Sequence, residues 1–160
     1  MNAMEVVLLR GGCHCRAVRF DCSAPQAVTV WICNCSICGM RRNDHFIIPN
    51  SSFRLAEGSA AALRSYRFGS RAAEHLFCGV CGVTAFYRPR SNPDGVAVTL
   101  ACVDAADAAR LAVTSQAFDG LHWEAAYAAS DIAACSAVGG GGGSGGVVAG
   151  IDTSASPAAQ

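Results

Sequence analysis

Seven of the ten cysteines fall into three tight clusters: Cys13-His14-Cys15, Cys33-Asn34-Cys35-Ser36-Ile37-Cys38 and Cys78-Gly79-Val80-Cys81-Gly82. Thiolates placed one or two residues apart converge on one ion with little bending of the backbone, which is how many structural zinc sites are built. Two pairs plus a triplet predict two zinc ions, one in a closed site and one in an open site. A four-cysteine site has no room for a substrate, whereas three protein ligands leave a coordination position for water or a substrate atom.

Cys78 and Cys81 have the spacing of a redox dithiol, but that motif opens a helix, and Val83-Thr84-Ala85-Phe86-Tyr87 reads as a strand. A zinc knuckle fits better, with Gly79 and Gly82 tolerating the backbone angles of its tight turn. Its natural partner is Cys13 and Cys15, another pair where a β-run begins. The alternative is two reduced, buried cysteine pairs.

Cys33, Cys35 and Cys38 supply three thiolates from one segment. The site is either open or completed by a fourth protein ligand, His45 or one of Cys22, Cys102 and Cys135. No such residue stands at knuckle spacing, which favours the open form. Three thiolates leave zinc with a formal charge of −1, a poor Lewis acid for making hydroxide but a suitable host for a substrate thiolate. Arg41 and Arg42 follow the cluster and are candidate partners for a substrate carboxylate, or else a solvated basic turn. His45 is a candidate proton shuttle. His14, His75 and His122 read as packing or surface residues, and Asp104, Asp107, Glu57 and Glu124 form no recognisable carboxylate pair.

Short β-type runs must position these residues: Val6 to Arg10, Ala17 to Cys22, Val28 to Cys33, His45 to Ile48, Leu63 to Phe68, Glu74 to Cys78, Val83 to Arg88, Val96 to Cys102 and Ala112 to Phe118. Several alternate with the two-residue period of half-buried strands. Arg90 to Gly95 is a turn or loop between two of them. Ser36 to Arg42 predicts one helical turn, and His122 to Cys135 predicts a helix with Trp123, Ala126, Tyr127 and Ala134 on one face. The expected class is mainly β, with one domain over residues 1–136 and a disordered glycine-rich tail over 137–160.

The 160 residues are 52% hydrophobic and 15% charged, enough for one domain with a real core. Formal charge is zero and no polybasic run exists, so neither nucleic acid nor a membrane surface is an expected partner. Seven zinc-bound thiolates would move the net charge to roughly −3. All twelve basic residues are arginine, which excludes lysine Schiff bases and lysine phosphate loops. The first twelve residues lack the charged start and apolar length of a secretory signal, and no run is long enough to span a bilayer. A cytoplasmic protein is expected, with a nuclear place also compatible, and in such a reducing compartment dense cysteines favour metal over disulfides.

The tracts Gly11 to Phe20, Cys33 to Cys38 and Phe77 to Gly82 resemble the glutathione-dependent formaldehyde-activating enzyme family, also called the centromere protein V domain family. The resemblance covers about Leu9 to Ala129. It is nearest to the centromere protein V branch through His45-Phe46-Ile47-Ile48-Pro49, Phe86 to Pro93 and Phe118 to Glu124. It implies a β-tent fold of small antiparallel sheets with zinc knuckles and one C-terminal helix. It also implies a structural zinc on Cys13, Cys15, Cys78 and Cys81, and a catalytic-type zinc on Cys33, Cys35 and Cys38. The implied activity is that of a carbon-sulfur lyase acting on a small thiol adduct such as S-hydroxymethylglutathione, with glutathione as the thiol. The alternative is a non-catalytic zinc module associated with chromatin or the cytoskeleton. The short segment before Gly11, with no basic extension, speaks against that alternative.

Overall fold

Apolar residues that recur every second position make strands, and the resulting chain is mainly β. The computed structural model describes residues 5–137, so the expected glycine-rich tail lies, apart from Ala137, outside the described residues. In order the elements are β1 (Val6–Gly12), β2 (Arg19–Pro25), β3 (Ala27–Cys33), α1 (Ser36–Arg41), β4 (His45–Pro49), β5 (Phe53–Leu55) and α2 (Ser59–Ala62). There follow β6 (Leu63–Tyr66), β7 (His75–Cys78), β8 (Phe86–Tyr87), β9 (Gly95–Thr99), α3 (Ala105–Ala108), β10 (Ala112–Phe118) and α4 (Trp123–Ala129).

They form three small sheets, ordered β1-β2-β5, β10-β3-β4-β9-β8 and β6-β7. The five-stranded sheet is buried on both faces over its centre, and β4 and β9 are therefore mostly apolar, with the polar His45 and Thr99 paired at one end. Alternation sorts their side chains. Val28, Val30, Phe46, Ile48, Phe86, Val96 and Val98 point to one face, where they meet Val7, Leu9, Phe20 and Phe53 of the three-stranded sheet. Phe20, Phe53 and Phe86 pack together there, with ring centroids 4.6 to 6.0 Å apart. Trp31, Ile47, Tyr87, Ala97 and Phe118 point to the other face and meet Ile132, Trp123 and Tyr127 of the C-terminal segment.

Three expectations change. The sheets are not purely antiparallel, since β10 runs parallel to β3 with Phe118 opposite Cys33. The chain leaves β9, turns through α3 beside β1, and returns in the direction of β3. The strand expected over Val83 to Arg88 shrinks to Phe86–Tyr87, because the Val83 carbonyl is taken by the Cys78 N–H in the knuckle. The C-terminal helix stops at Ala129, and a separate 3-10 turn covers Ile132–Ser136. Ser130 is extended, and its hydroxyl donates to the Tyr127 carbonyl, a local bond that competes with helix continuation. The break lets Ile132 reach the core and Asn92 donate to the Ile132 carbonyl and Ser136 Oγ, both at 2.9 Å, pinning the turn against the Arg90 to Gly95 loop. None of the described helices is long and apolar enough to cross a membrane.

Phe86→Ala removes the ring shared by both sheets and is expected to cost about 3–5 kcal/mol, read by urea denaturation. Asp107 of α3 accepts the backbone N–H of Arg10 at 3.0 Å and its Nε–H at 3.3 Å, and these bonds hold its carboxyl below the usual range. A depressed carboxylate stabilises the fold above its unfolded pKa, and that contribution fades as pH falls through the folded value. Asp107→Asn is therefore expected to lower the melting temperature at neutral pH and to narrow the gap from wild type below about pH 4.

Candidate metal centres and the aromatic cavity

The first cysteine group is a junction between sheets. Cys13 and Cys15 follow β1, and Cys78 ends β7 with Cys81 in the turn after it. The two turns share a hydrogen-bond pattern. Cys13 N–H donates to the Val18 carbonyl and Cys78 N–H to the Val83 carbonyl, each at 3.0 Å. Left-handed backbone closes both, at Arg16 (φ 68°) and at Gly82 (φ 78°). Gly79 needs no such angle; its constraint is the Arg64 side chain, 3.0 Å from where a Cβ would stand.

The sulfurs of Cys13, Cys15, Cys78 and Cys81 all lie within 4.8 Å of one another, a group that could hold a metal ion. Cys15 Sγ is 3.6 Å from both Cys13 Sγ and Cys78 Sγ. Tetrahedral zinc with bonds of about 2.3 Å separates its sulfurs by about 3.8 Å, so the donor set fits that ion. Backbone N–H groups point at the sulfurs, from Val18 to Cys13 at 3.3 Å and from Val80 to Cys78 at 3.4 Å. Hydrogen bonds from backbone N–H groups hold the Cys81 thiol down at about 6.

Cys33, Cys35 and Cys38 form the second group, again within 4.8 Å of one another. Cys33 ends β3, Cys35 precedes α1 and Cys38 lies on its buried side. Cys35 is held well below the ordinary thiol range, first by hydrogen bonds with Cys33 and Cys38, then by backbone N–H groups of Cys38 and Ile37. No further histidine, cysteine or carboxylate among the described residues joins this group within that distance. The spare cysteines lie elsewhere: burial pushes Cys22 up to about 12 and Cys102 up to about 11, and Cys135 packs by Trp31.

His45 is not placed to complete the group as a ligand. Its Nδ1–H donates to the Asn43 carbonyl at 2.9 Å, which leaves Nε2 to accept from the Tyr87 hydroxyl at 3.1 Å. Burial pushes the imidazole pKa down and the phenol pKa up, so the pair is neutral. After burial, the nearby Cys38, Cys33 and Cys35 also raise the Tyr87 phenol, so the pair borders the sulfur cluster.

A cavity of about 330 Å³ opens beside these three cysteines. Trp31, Phe68, His75, Tyr87, Phe118 and Trp123 line it. Phe68, His75 and Tyr87 stack in sequence at 5.4 and 5.2 Å. Arg41 and Arg42 do not line it. Arg41 donates to Thr84 Oγ1 at 2.9 Å and lies over the Phe77 ring, while Arg42 caps α1 in left-handed backbone. The guanidinium on the wall is Arg90, 3.7 Å over the Trp123 ring and bonded to Glu124 at 2.9 Å.

A clamp that no sequence motif announces closes this site. Asn34 Nδ2–H donates to Asp119 at 3.0 Å, and Leu121 N–H donates to Asn34 Oδ1 at 3.2 Å. Between them, Gly120 lies so close that a Cβ there would stand 2.6 Å from both Cys33 Sγ and Cys35 Cβ. The signal was the tract Phe118 to Glu124, but its contact with Cys33 depends on the parallel pairing of β10. Gly120→Ala is expected to lower the metal content of the three-cysteine group and leave the four-cysteine group filled, as read by metal analysis alongside the melting temperature.

The sequence profile described as "Glutathione-dependent formaldehyde-activating enzyme" matches residues 8–118. A crystal structure of a Rhodobacter sphaeroides protein, a structural-genomics target, is similar in fold. It shares 30% identity over 66% of this chain and 99% of that chain, with a TM-score of 0.54. With all three cysteine clusters inside the matched region, the chain belongs to the glutathione-dependent formaldehyde-activating enzyme family.

Proposed function

We propose that the protein is a zinc-dependent carbon-sulfur lyase that joins a small thiol to an aldehyde and releases it again, as in the formation of S-hydroxymethylglutathione. The observation that carries this is the grouping of Cys33, Cys35 and Cys38, without a fourth protein ligand among the described residues, on the wall of a cavity. Zinc bound there supplies a position that accepts a substrate sulfur and lowers its pKa.

The chain's own residues do the rest. In the forward direction the thiol loses its proton, the carbon-sulfur bond forms and the carbonyl oxygen takes up a proton; the reverse direction undoes each change. Tyr87 holds a hydroxyl proton against His45 Nε2 beside Cys38, where it can be passed to an oxygen in the cavity and recovered. Arg90 is the cation that can meet a substrate carboxylate, in place of Arg41 or Arg42. The aromatic walls exclude water and keep the adduct from exchanging with solvent. The four-cysteine group ties β1 to β7 and serves the fold. The three tracts whose resemblance points to the centromere protein V branch also supply His45, Tyr87, Arg90, Phe118 and Trp123 of the cavity lining.

The test is zinc stoichiometry of the purified chain, with X-ray absorption at the zinc edge before and after adding glutathione. Two zinc ions are expected, with average sulfur coordination rising from near three and a half towards four. Two ions already fully sulfur-coordinated and indifferent to thiols would support a non-catalytic module instead. Cys35→Ser is expected to lose one ion and keep the fold, whereas Cys81→Ser should lower the melting temperature. Equal loss of fold in both variants would sink the division of roles.

A further inference from the structure

The walls of the cavity discriminate among thiols, and this inference rests on the reading of the three-cysteine group as a sulfur-accepting site. We propose that the thiol taken there has a flat aromatic body and a single carboxylate, and that glutathione is a poorer fit. Glutathione brings an ammonium, carboxylates at both ends and peptide groups, each of which needs a partner once the cavity excludes water.

Charged partners are scarce, although Ser36, Ser70, Ser91 and His75 also line the cavity and can meet uncharged polar groups. Among the described residues, Arg90 is the one with a fixed charge that lines the cavity, enough for one carboxylate. No aspartate or glutamate among the described residues lines it to receive an ammonium. Of the nearby carboxylates, Asp119 accepts from Asn34 and from His122 Nδ1–H at 2.8 Å, and Glu124 is exposed and does not line the cavity. His45 is committed to Asn43 and Tyr87.

Flat apolar surface is plentiful. The rings of Trp31, Phe68, Tyr87, Phe118 and Trp123 line the cavity, and the volume is near the lower end of the range of about 300–1,000 Å³ usual for small-molecule pockets. At the mouth, Phe68 is 40% exposed and Leu121 67% exposed, apolar surface that an aromatic ligand would cover. The Arg90–Glu124 bridge lies at the rim with Glu124 79% exposed, so a ligand carboxylate competes with it at small cost. A benzylic thiol fits this arrangement, with sulfur toward Cys33, Cys35 and Cys38, ring between Phe68 and Trp123, and carboxylate on Arg90.

The experiment uses the full chain with its bound metal and three probes: 4-(sulfanylmethyl)benzoate, benzyl thiol and glutathione. Affinity is read by calorimetry and tryptophan fluorescence, and sulfur coordination by X-ray absorption. The benzoate thiol is expected to bind at least about tenfold tighter than glutathione. Phe68→Ala should weaken both aromatic thiols by about tenfold and glutathione by less than about twofold, and Leu121→Ser should act in the same direction. Arg90→Gln should weaken the benzoate thiol and spare benzyl thiol. Phe68 and Leu121 are exposed, and an unchanged melting temperature will show that their variants fold.

Equal or tighter binding of glutathione, or equal weakening of all thiols by Phe68→Ala, overturns the aromatic assignment. Glutathione raising the sulfur coordination while the aromatic thiols do not removes that assignment alone. No thiol raising it removes the sulfur-accepting site, and the substrate assignment falls with it.

Discussion

Everything near the cavity depends on one constraint, the register of the five-stranded sheet. Its central strands are buried on both faces, and side chains alternate between them. A shift of one residue in β4 would send His45 and Ile47 into the packed core and Phe46 and Ile48 into the cavity. The apolar face prevents that shift, because Phe46, Ile48, Val96 and Val98 have a matched surface on the three-stranded sheet to bury against. Core packing on one face therefore positions polar groups on the other. Tyr87 is held in the same way by Phe86, whose ring anchors a strand only two residues long.

The two cysteine groups solve different problems with the same side chain. Four sulfurs brought together from segments more than sixty residues apart repel as thiolates and leave little room as thiols, so the junction of β1 with β7 favours a bound cation. The three-cysteine group comes from one continuous segment, and its assembly costs less chain entropy. Its difficulty is access, since the chain must approach the sulfurs without covering them. Gly120 achieves that approach with backbone alone, and the Asn34 clamp on Asp119 and Leu121 keeps it there. The sulfurs are thus crowded on one side and bordered by the cavity on the other.

Local features were legible in the sequence and long-range ones were not. The cysteine clusters were legible because one or two intervening residues leave few geometries, and the pairing of Cys13 and Cys15 with Cys78 and Cys81 followed from their place at strand ends. Most strands were legible from alternation. The parallel return of β10 was not, because Ala112 to Phe118 is exposed along most of its length and carries no alternating pattern that fixes a partner. The contact of Gly120 with Cys33 and the wall made by Trp123 follow from that pairing and were hidden with it. Arg41 shows a further limit. Nearness in sequence to Cys38 promised a place at the site, but one turn of helix directs its guanidinium to Thr84 and Phe77 instead. Arg90, 52 residues beyond Cys38 in the sequence, reaches the cavity because Trp123 offers its ring as a platform.

The orientation of one hydrogen bond sets what the buried polar pair can do. The Asn43 carbonyl can only accept, so His45 must carry its proton on Nδ1 and present a bare Nε2. Tyr87 then has to donate to His45, and its oxygen lone pairs are turned toward Cys38 and the cavity. In this arrangement the phenol accepts a hydrogen bond from a ligand before it gives one. To donate instead, it must rotate away from His45 and leave Nε2 without a partner in a buried site, a loss of about 1–3 kcal/mol unless the imidazole takes up a proton at the same moment. Were His45 to take up the proton that a bound thiol releases, its Nε2–H would donate to the Tyr87 oxygen and free the phenol proton for a ligand oxygen. Burial favours two neutral groups, and the nearby sulfur of Cys35 opposes it by lowering the cost of an imidazolium.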